Sequence, residues 1–190
     1  MKNLESAGSA PSTIEQLRGA MQDYRPKLLP LPLRQAAVLM PITRAAAPEL
    51  ILTVRTKSMP THGGEVAFPG GRHEKGETIR ETALREASEE VGIQPTAVEM
   101  LGQLSPLASK FGLKVTPFVG LVENDIALTG DPREIDEIFR VPLQFFLDEK
   151  PDLSQPVDFF GTRWRIPSYV YEGHRIWGLT AFMFIDLRSE

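Results

Sequence analysis

Glu86, Glu89 and Glu90 stand at i, i+3 and i+4, and on a helix that spacing stacks three carboxylates along one face. Like charges so placed destabilise a bare helix by roughly a few tenths of a kcal/mol per pair, and a cation between them reverses the sign. Oxygen ligands suit a hard ion such as Mg²⁺ or Mn²⁺, bound through one or two carboxylates, water and substrate phosphates. Upstream, Gly70, Gly71 and Gly76 permit a tight loop and close backbone approach to a ligand. These types and spacings point to a metal-dependent site for a phosphate-bearing substrate.

The stretch from Gly71 to Ile93, GRHEKGETIRETALREASEEVGI, resembles the box of the Nudix hydrolases, G-x5-E-x7-R-E-U-x-E-E-x-G-U with U aliphatic. Gly71, Glu77, Arg85, Glu86, Glu89, Glu90, Gly92 and Ile93 fall on its fixed places without a gap, and Ala87 is a small residue at the first U. The resemblance implies hydrolysis of a nucleoside diphosphate linked to another group. It also implies an α/β/α sandwich built on a mixed β-sheet. It places Glu86, Glu90, Glu89 and a backbone carbonyl near Gly71 on the metal, and gives Arg85 the task of orienting the acids of loop and helix. Arg85 lies four residues from both Glu81 and Glu89, so ordinary helix ion pairing accounts for it equally well. Glu77 reads as support rather than as a ligand. The general base stays open between Glu89, within the box, and Glu134, in the later DPREIDEIF segment.

Residues 51–71, ILTVRTKSMPTHGGEVAFPGG, are similar to the extra motif of the coenzyme A pyrophosphatase branch, L-L-T-x-R-S/A-x3-R-x3-G-x3-F-P-G-G. Leu52, Thr53, Arg55, Gly64, Phe68, Pro69, Gly70 and Gly71 match; Thr56 and Pro60 depart. Pro60 stands where the motif has an arginine, which removes a cation and its fork of donors. This likeness implies cleavage of coenzyme A or a derivative into 3′,5′-ADP and 4′-phosphopantetheine. Arg55, Lys57, Gly70 and Gly71 become candidate substrate contacts. Arg72, Lys110 and Lys114 are further cations for a 3′-phosphate. The alternatives are a Nudix pyrophosphatase for ADP-ribose, a dinucleotide or a nucleoside triphosphate, and a non-catalytic nucleotide-sensing module, whose usual mark would be loss of box acids.

The elements that must position these groups follow from periodicity and breakers. Ser12 or Thr13 caps a short helix with Ile14, Leu17 and Met21 on one face. Three prolines hold 26–32 extended. Strands are expected at 36–42, 50–55, 66–68, 98–104, 114–122, 159–166 and 168–171, and helices at 78–91, 134–139, 143–147 and 178–188. In the 78–91 helix Ile79, Ala83, Leu84, Ala87 and Val91 form the buried side beside the acidic stripe. Trp164, Phe159 and Phe160 read as core or cleft wall, and His62, His73 and His174 have no metal-ligand spacing.

Composition sets bounds. The chain has 190 residues, enough for one sizeable core, read as an extension over 1–34 and a single domain over 35–190. A net charge of −4 offers no basic field for nucleic acid, so the expected partner is a small nucleotide drawn by the metal and local cations. Cysteine is absent, which excludes disulfides and thiolate sites. With neither a secretory leader nor a membrane-length apolar run, the cytoplasm is the expected compartment.

Overall fold

A computed structural model describes residues 12–58, 63–154, 156–159 and 162–188. Helix α1 (Thr13–Asp23) begins in a capping box: Ser12 accepts from the Glu15 amide, and Glu15 accepts from the Ser12 amide. The long strands follow as β1 (Arg34–Arg44) and β2 (Glu49–Arg55), then the short β3 (Val66–Ala67) and β4 (Gly70–Arg72). After α2 (Ile79–Val91) come β5 (Glu99–Gln103), β6 (Leu107–Ala108), β7 (Leu113–Glu123) and β8 (Ile135–Pro142). The chain closes with α3 (Leu143–Asp148), the hairpins β9 (Pro156–Phe159)–β10 (Thr162–Arg165) and β11 (Ser168–Tyr171)–β12 (His174–Trp177), and α4 (Gly178–Arg188).

The main sheet is mixed. Its order is β3-β2-β1-β7-β5, with β4 added to β1, β6 to β7 and β8 to β2. The pair β1–β7 is parallel from Arg34↔Leu113 to Arg44↔Glu123, and the other pairings are antiparallel. Both faces are buried, which explains the nearly continuous apolar run of β1. Period-two alternation sorts the residues: Ala37, Leu39, Ile51, Phe118 and Val122 meet Ala83, Ala87 and Val91 of α2. Met40, Ile42, Leu50, Leu52, Val119 and Leu121 face the opposite core, shared with Met21, Phe146 and Phe184. The chain is thus an α/β sandwich with a mixed sheet between helices. No described helix is long and apolar enough to cross a membrane.

Two expectations require correction. Residues 134–139 are not a helix; they enter strand β8, hydrogen-bonded along β2. A register shift opposite Val54/Arg55 pairs Arg55 with Ile135 and Val54 with Glu137, leaving Asp136 as an extra residue. That bulge sets Ile135 and Ile138 three apart, a spacing that imitates a helix. The span 159–166 is not one strand: β9 ends at Phe159 and β10 starts at Thr162, antiparallel to it. Strands β4, β6 and β12 went unread because each is only two to four residues long.

Candidate functional site

Helix α2 is fixed at both ends before its acids do anything. Thr78 accepts from the Glu81 amide while Glu81 accepts from the Thr78 amide. Glu81 is therefore engaged at the cap and is not an ion-pair partner of Arg85, contrary to the i±4 reading. At the other end Gly92 takes the left-handed conformation (φ 78°) and its N–H returns to the Ala87 and Ser88 carbonyls. Alanines at 83 and 87 let the helix lie close on β1 and β4. The acids then sit at graded depth: Glu90 is 3% exposed, Glu86 16% and Glu89 59%.

The glycine loop reaches the same acids from the sheet. Strand β4 places Gly71 opposite Ala37 and Gly70 opposite Val38. The Gly70 N–H donates to Glu90 Oε2 at 2.9 Å. A Cβ on Gly71 would lie 2.5 Å from the Glu86 carboxylate, and one on Gly70 would lie 2.3 Å from the Ala37 carbonyl oxygen. At Gly70 the clash is with backbone and only glycine fits, whereas at Gly71 a side chain would push the Glu86 carboxylate aside.

Arg85 ties loop to helix. Its Nε and a terminal nitrogen grip both oxygens of Glu77 at 3.0 and 3.1 Å, and the same guanidinium donates to the Arg72 carbonyl at 3.0 Å. Its other terminal nitrogen reaches Glu89 Oε2 at 2.9 Å and Glu86 Oε1 at 3.0 Å. Glu77 also accepts from the Glu74 amide and the Thr82 hydroxyl. The Arg85 guanidinium holds the Glu77 carboxyl down at about 2, and Glu77 in turn raises the Arg85 pKa. Glu77 thus supports the loop, and His73 bonds Thr82 beside it.

From the far side of the cleft comes Arg55. Strand alternation from Ile51 sets it on the α2 side of the sheet, where it donates to Glu90 Oε1 at 3.0 Å and to Glu134 Oε2 at 3.2 Å. Glu134 is anchored by its carbonyl, which accepts from the Thr56 amide at 2.8 Å. Residues 129–135 are pinned to the end of α2 by Thr129 N–H to Val91 O and Asp131 N–H to Glu90 O. Burial pushes the Glu90 carboxyl up to about 7, against the opposing pull of Arg55 and the Gly70 N–H. Burial raises Glu86 as well, with Arg85 opposing. Lys57 is exposed nearby. Pro60, His62 and Phe160 lie outside the described residues, and so does the side chain of Trp164.

Glu86, Glu89, Glu90, Asp131, Arg133 and Glu134 line a cleft of about 330 Å³. Asp131 and Arg133 had escaped sequence reasoning, although the Gly-Asp-Pro turn before Glu134 was their signal. Asp131 accepts from the Arg133 amide and guanidinium, which shapes the turn that presents Glu134. A larger cavity of about 390 Å³ lies at the other end of α2 between Lys27, Gln35, Ile79 and Lys114, and has no carboxylate in its lining. Among the described residues no three His, Asp or Glu side chains already converge on a single point, because Arg85 and Arg55 stand among the acids. The donor chemistry nonetheless fits a hard divalent ion: oxygen atoms only, two carboxylates raised by burial without enough positive charge, and a glycine backbone against Glu86. His174 is not part of it; its ring stacks on Phe139 and bonds Glu137.

The sequence matches the NUDIX domain profile over residues 33–159. It is 44% identical over 158 residues to a protein of Photorhabdus laumondii subsp. laumondii named "Uncharacterized Nudix hydrolase NudL", covering 83% of this chain and 84% of that one. A Shigella flexneri protein of the same name is 38% identical over 180 residues, covering 92% and 93%. Among solved structures, the fold is similar to the M. smegmatis Nudix hydrolase RenU (TM-score 0.51, 21% identity, 59% of this chain and 72% of that chain). It is also similar to a C. elegans Ap4A hydrolase (TM-score 0.50, 21% identity, 59% and 82%). At those identities the structural likeness concerns the fold alone.

Proposed function

The chain belongs to the Nudix family, and from that premise we propose that it hydrolyses the pyrophosphate of coenzyme A or a close derivative, giving 3′,5′-ADP and 4′-phosphopantetheine. The observation that carries the reading is the segment 51–71. Its Arg55, Gly70 and Gly71 match the coenzyme A motif in sequence and meet Glu90 and Glu86 in space. Nudix hydrolases generally use divalent metal ions. Here Glu86, Glu90, Glu89 and the Gly71 carbonyl would hold Mg²⁺ or Mn²⁺, which supplies Lewis-acid charge to the pyrophosphate oxygens.

The protein groups do the rest. The Gly70 N–H holds one oxygen of Glu90, and Arg55 meets the other. Arg85 keeps Glu89 and Glu86 aimed together while bracing the loop through Glu77. A water attacking phosphorus in line gives its proton to Glu134 or Glu89, the two more exposed carboxylates, each able to pass it on to solvent. Arg55 and Lys57 supply cations for substrate phosphates, and Gly70 and Gly71 let the substrate come close to the backbone. The catalytic unit is 35–190, preceded by the extension 1–34, and the expected setting is the cytoplasm.

A substrate panel tests this. Coenzyme A, dephospho-coenzyme A, ADP-ribose, NADH, diadenosine polyphosphates and dNTPs are compared by kcat/KM with Mg²⁺ and Mn²⁺. Coenzyme A forms should lead. Pro60, in place of the motif arginine, predicts a weak preference for coenzyme A over its 3′-dephospho form, and Pro60→Arg should widen it. Faster turnover of ADP-ribose or a dNTP than of both coenzyme A forms would reject the substrate and keep the chemistry. Nucleotide binding without any turnover would favour a sensing module.

A further inference from the structure

Before it can meet a substrate phosphate, Arg55 is already engaged by two carboxylates. Its side chain is 15% exposed and bridges Glu90, which is 3% exposed, to Glu134. Its backbone is fixed on both sides: its N–H donates to the Glu65 carbonyl at 3.0 Å, and its own carbonyl accepts from Gly64 at 2.8 Å. A carboxylate as buried as Glu90 needs a paired charge, and among the described residues Arg55 is the cation in contact with it. The Gly70 N–H occupies Glu90 Oε2, and Arg55 occupies Oε1. A divalent ion that takes Glu90 as a ligand therefore has to contend with the guanidinium.

We propose that Arg55 is a resident counter-cation for Glu90 which a divalent ion must displace, so that Arg55 gates metal loading and positions Glu134 while the ion is away. This rests on reading Glu86 and Glu90 as the ion-holding carboxylates, and adds a competitor to that site. Arg55 keeps the acids from repelling one another, ties Glu90 to Glu134, and is released beside the cleft when the ion takes its place. Alternation along β2 puts Arg55 on the same face as Ile51, toward α2, and the β8 bulge at Asp136 places Ile135, next to Glu134, opposite it.

The test needs no nucleotide. Mn²⁺ affinity of the metal-free protein is measured by electron paramagnetic resonance of free Mn²⁺ and by calorimetry, for wild type, Arg55→Gln, Arg55→Lys and Arg133→Gln. Arg55→Gln should bind Mn²⁺ about tenfold more tightly, the loss of one competing charge-assisted contact. Arg55→Lys should tighten it less, since an ammonium still neutralises Glu90 but does not fork to Glu134. Arg133→Gln removes a charge from the same cleft without freeing Glu90, and should change affinity by less than about twofold. Metal-free Arg55→Gln should melt below wild type and recover more on adding Mn²⁺. Unchanged or weaker binding in Arg55→Gln, or equal tightening in Arg133→Gln, overturns the proposal and leaves the metal site standing. If Arg55→Gln does not fold without metal, Arg55→Lys decides: affinity no better than wild type overturns it. No Mn²⁺ uptake by wild type overturns the proposal and the metal reading together, whereas a failed coenzyme A panel touches neither.

Discussion

Replacing Arg85 with glutamine should uncouple the loop from the helix, and the size of the effect should depend on pH in a defined direction. Arg85 holds Glu77 through two hydrogen bonds and depresses its carboxyl from the ordinary 4.5 to about 2. Because the folded value lies below the unfolded one, the unfolded chain takes up the proton first as pH falls. The stabilisation is complete above pH 4.5 and drains away between 4.5 and about 2. Unscreened, that displacement would be worth about 3 kcal/mol; solvent beside the pair screens it to about 1–2 kcal/mol. For a chain of this size that is about 3–6 °C in Tm. Urea unfolding from about pH 7 to pH 3 in metal-free buffer is the assay. Arg85→Gln should be less stable by a nearly constant amount down to about pH 5, and the two curves should then converge. Curves that stay parallel to the lowest pH would show that Glu77 is not held by Arg85, and the bracing role would fall with it.

The other predictions are shorter. Glu90→Gln keeps shape but removes a ligand charge, so turnover should drop by at least about a hundredfold; near-normal turnover with intact metal affinity would remove Glu90 from the metal. Gly71→Ala sets a methyl carbon 2.5 Å from the Glu86 carboxylate. Displacing that acid should cut kcat by about a hundredfold with the far-UV spectrum unchanged. Tyr24 is buried and its hydroxyl joins Ser105 to Asp186, tying α1 to α4. Tyr24→Phe removes both bonds, while Asp186 keeps the Ser105 N–H and Ser105 Oγ keeps the Lys27 N–H, so it should cost about 1–2 kcal/mol, read as a lower Tm with kcat unaltered.

How much was legible follows from the range of each interaction. Helix α2, its acids and its caps rest on contacts within four residues, and such contacts are written in spacing: Thr78 with Glu81, Arg85 with Glu89. The long strands were readable because alternation and apolar runs are local. Strand β8 was not. Its bulge depends on β2, some eighty residues earlier, and the inserted Asp136 breaks the period that identifies a strand. Short strands such as β4 exist only because β1 offers a partner, and two or three residues carry no period of their own.

The same distinction explains why spacing found the carboxylates but not their partners. An acidic stripe on α2 is unfavourable for an isolated helix, and cations from inside and outside the helix offset it. Arg85 answers from within the helix, and its reach to Glu89 is a plain i+4 relation. Its bidentate grip on Glu77 already spans eight residues and closes the glycine loop. Arg55 answers from thirty-five residues away, from a strand that only the folded sheet brings beside α2. The resemblance marked Arg55 as belonging to the site but cast it as a contact for phosphate. Its bonds to Glu90 and Glu134 follow from burial, since a carboxylate withdrawn from water binds whichever cation the fold delivers. A divalent ion offers that carboxylate a second choice of the same sign. The acids that would recruit the metal are therefore the acids that the arginines must neutralise without it.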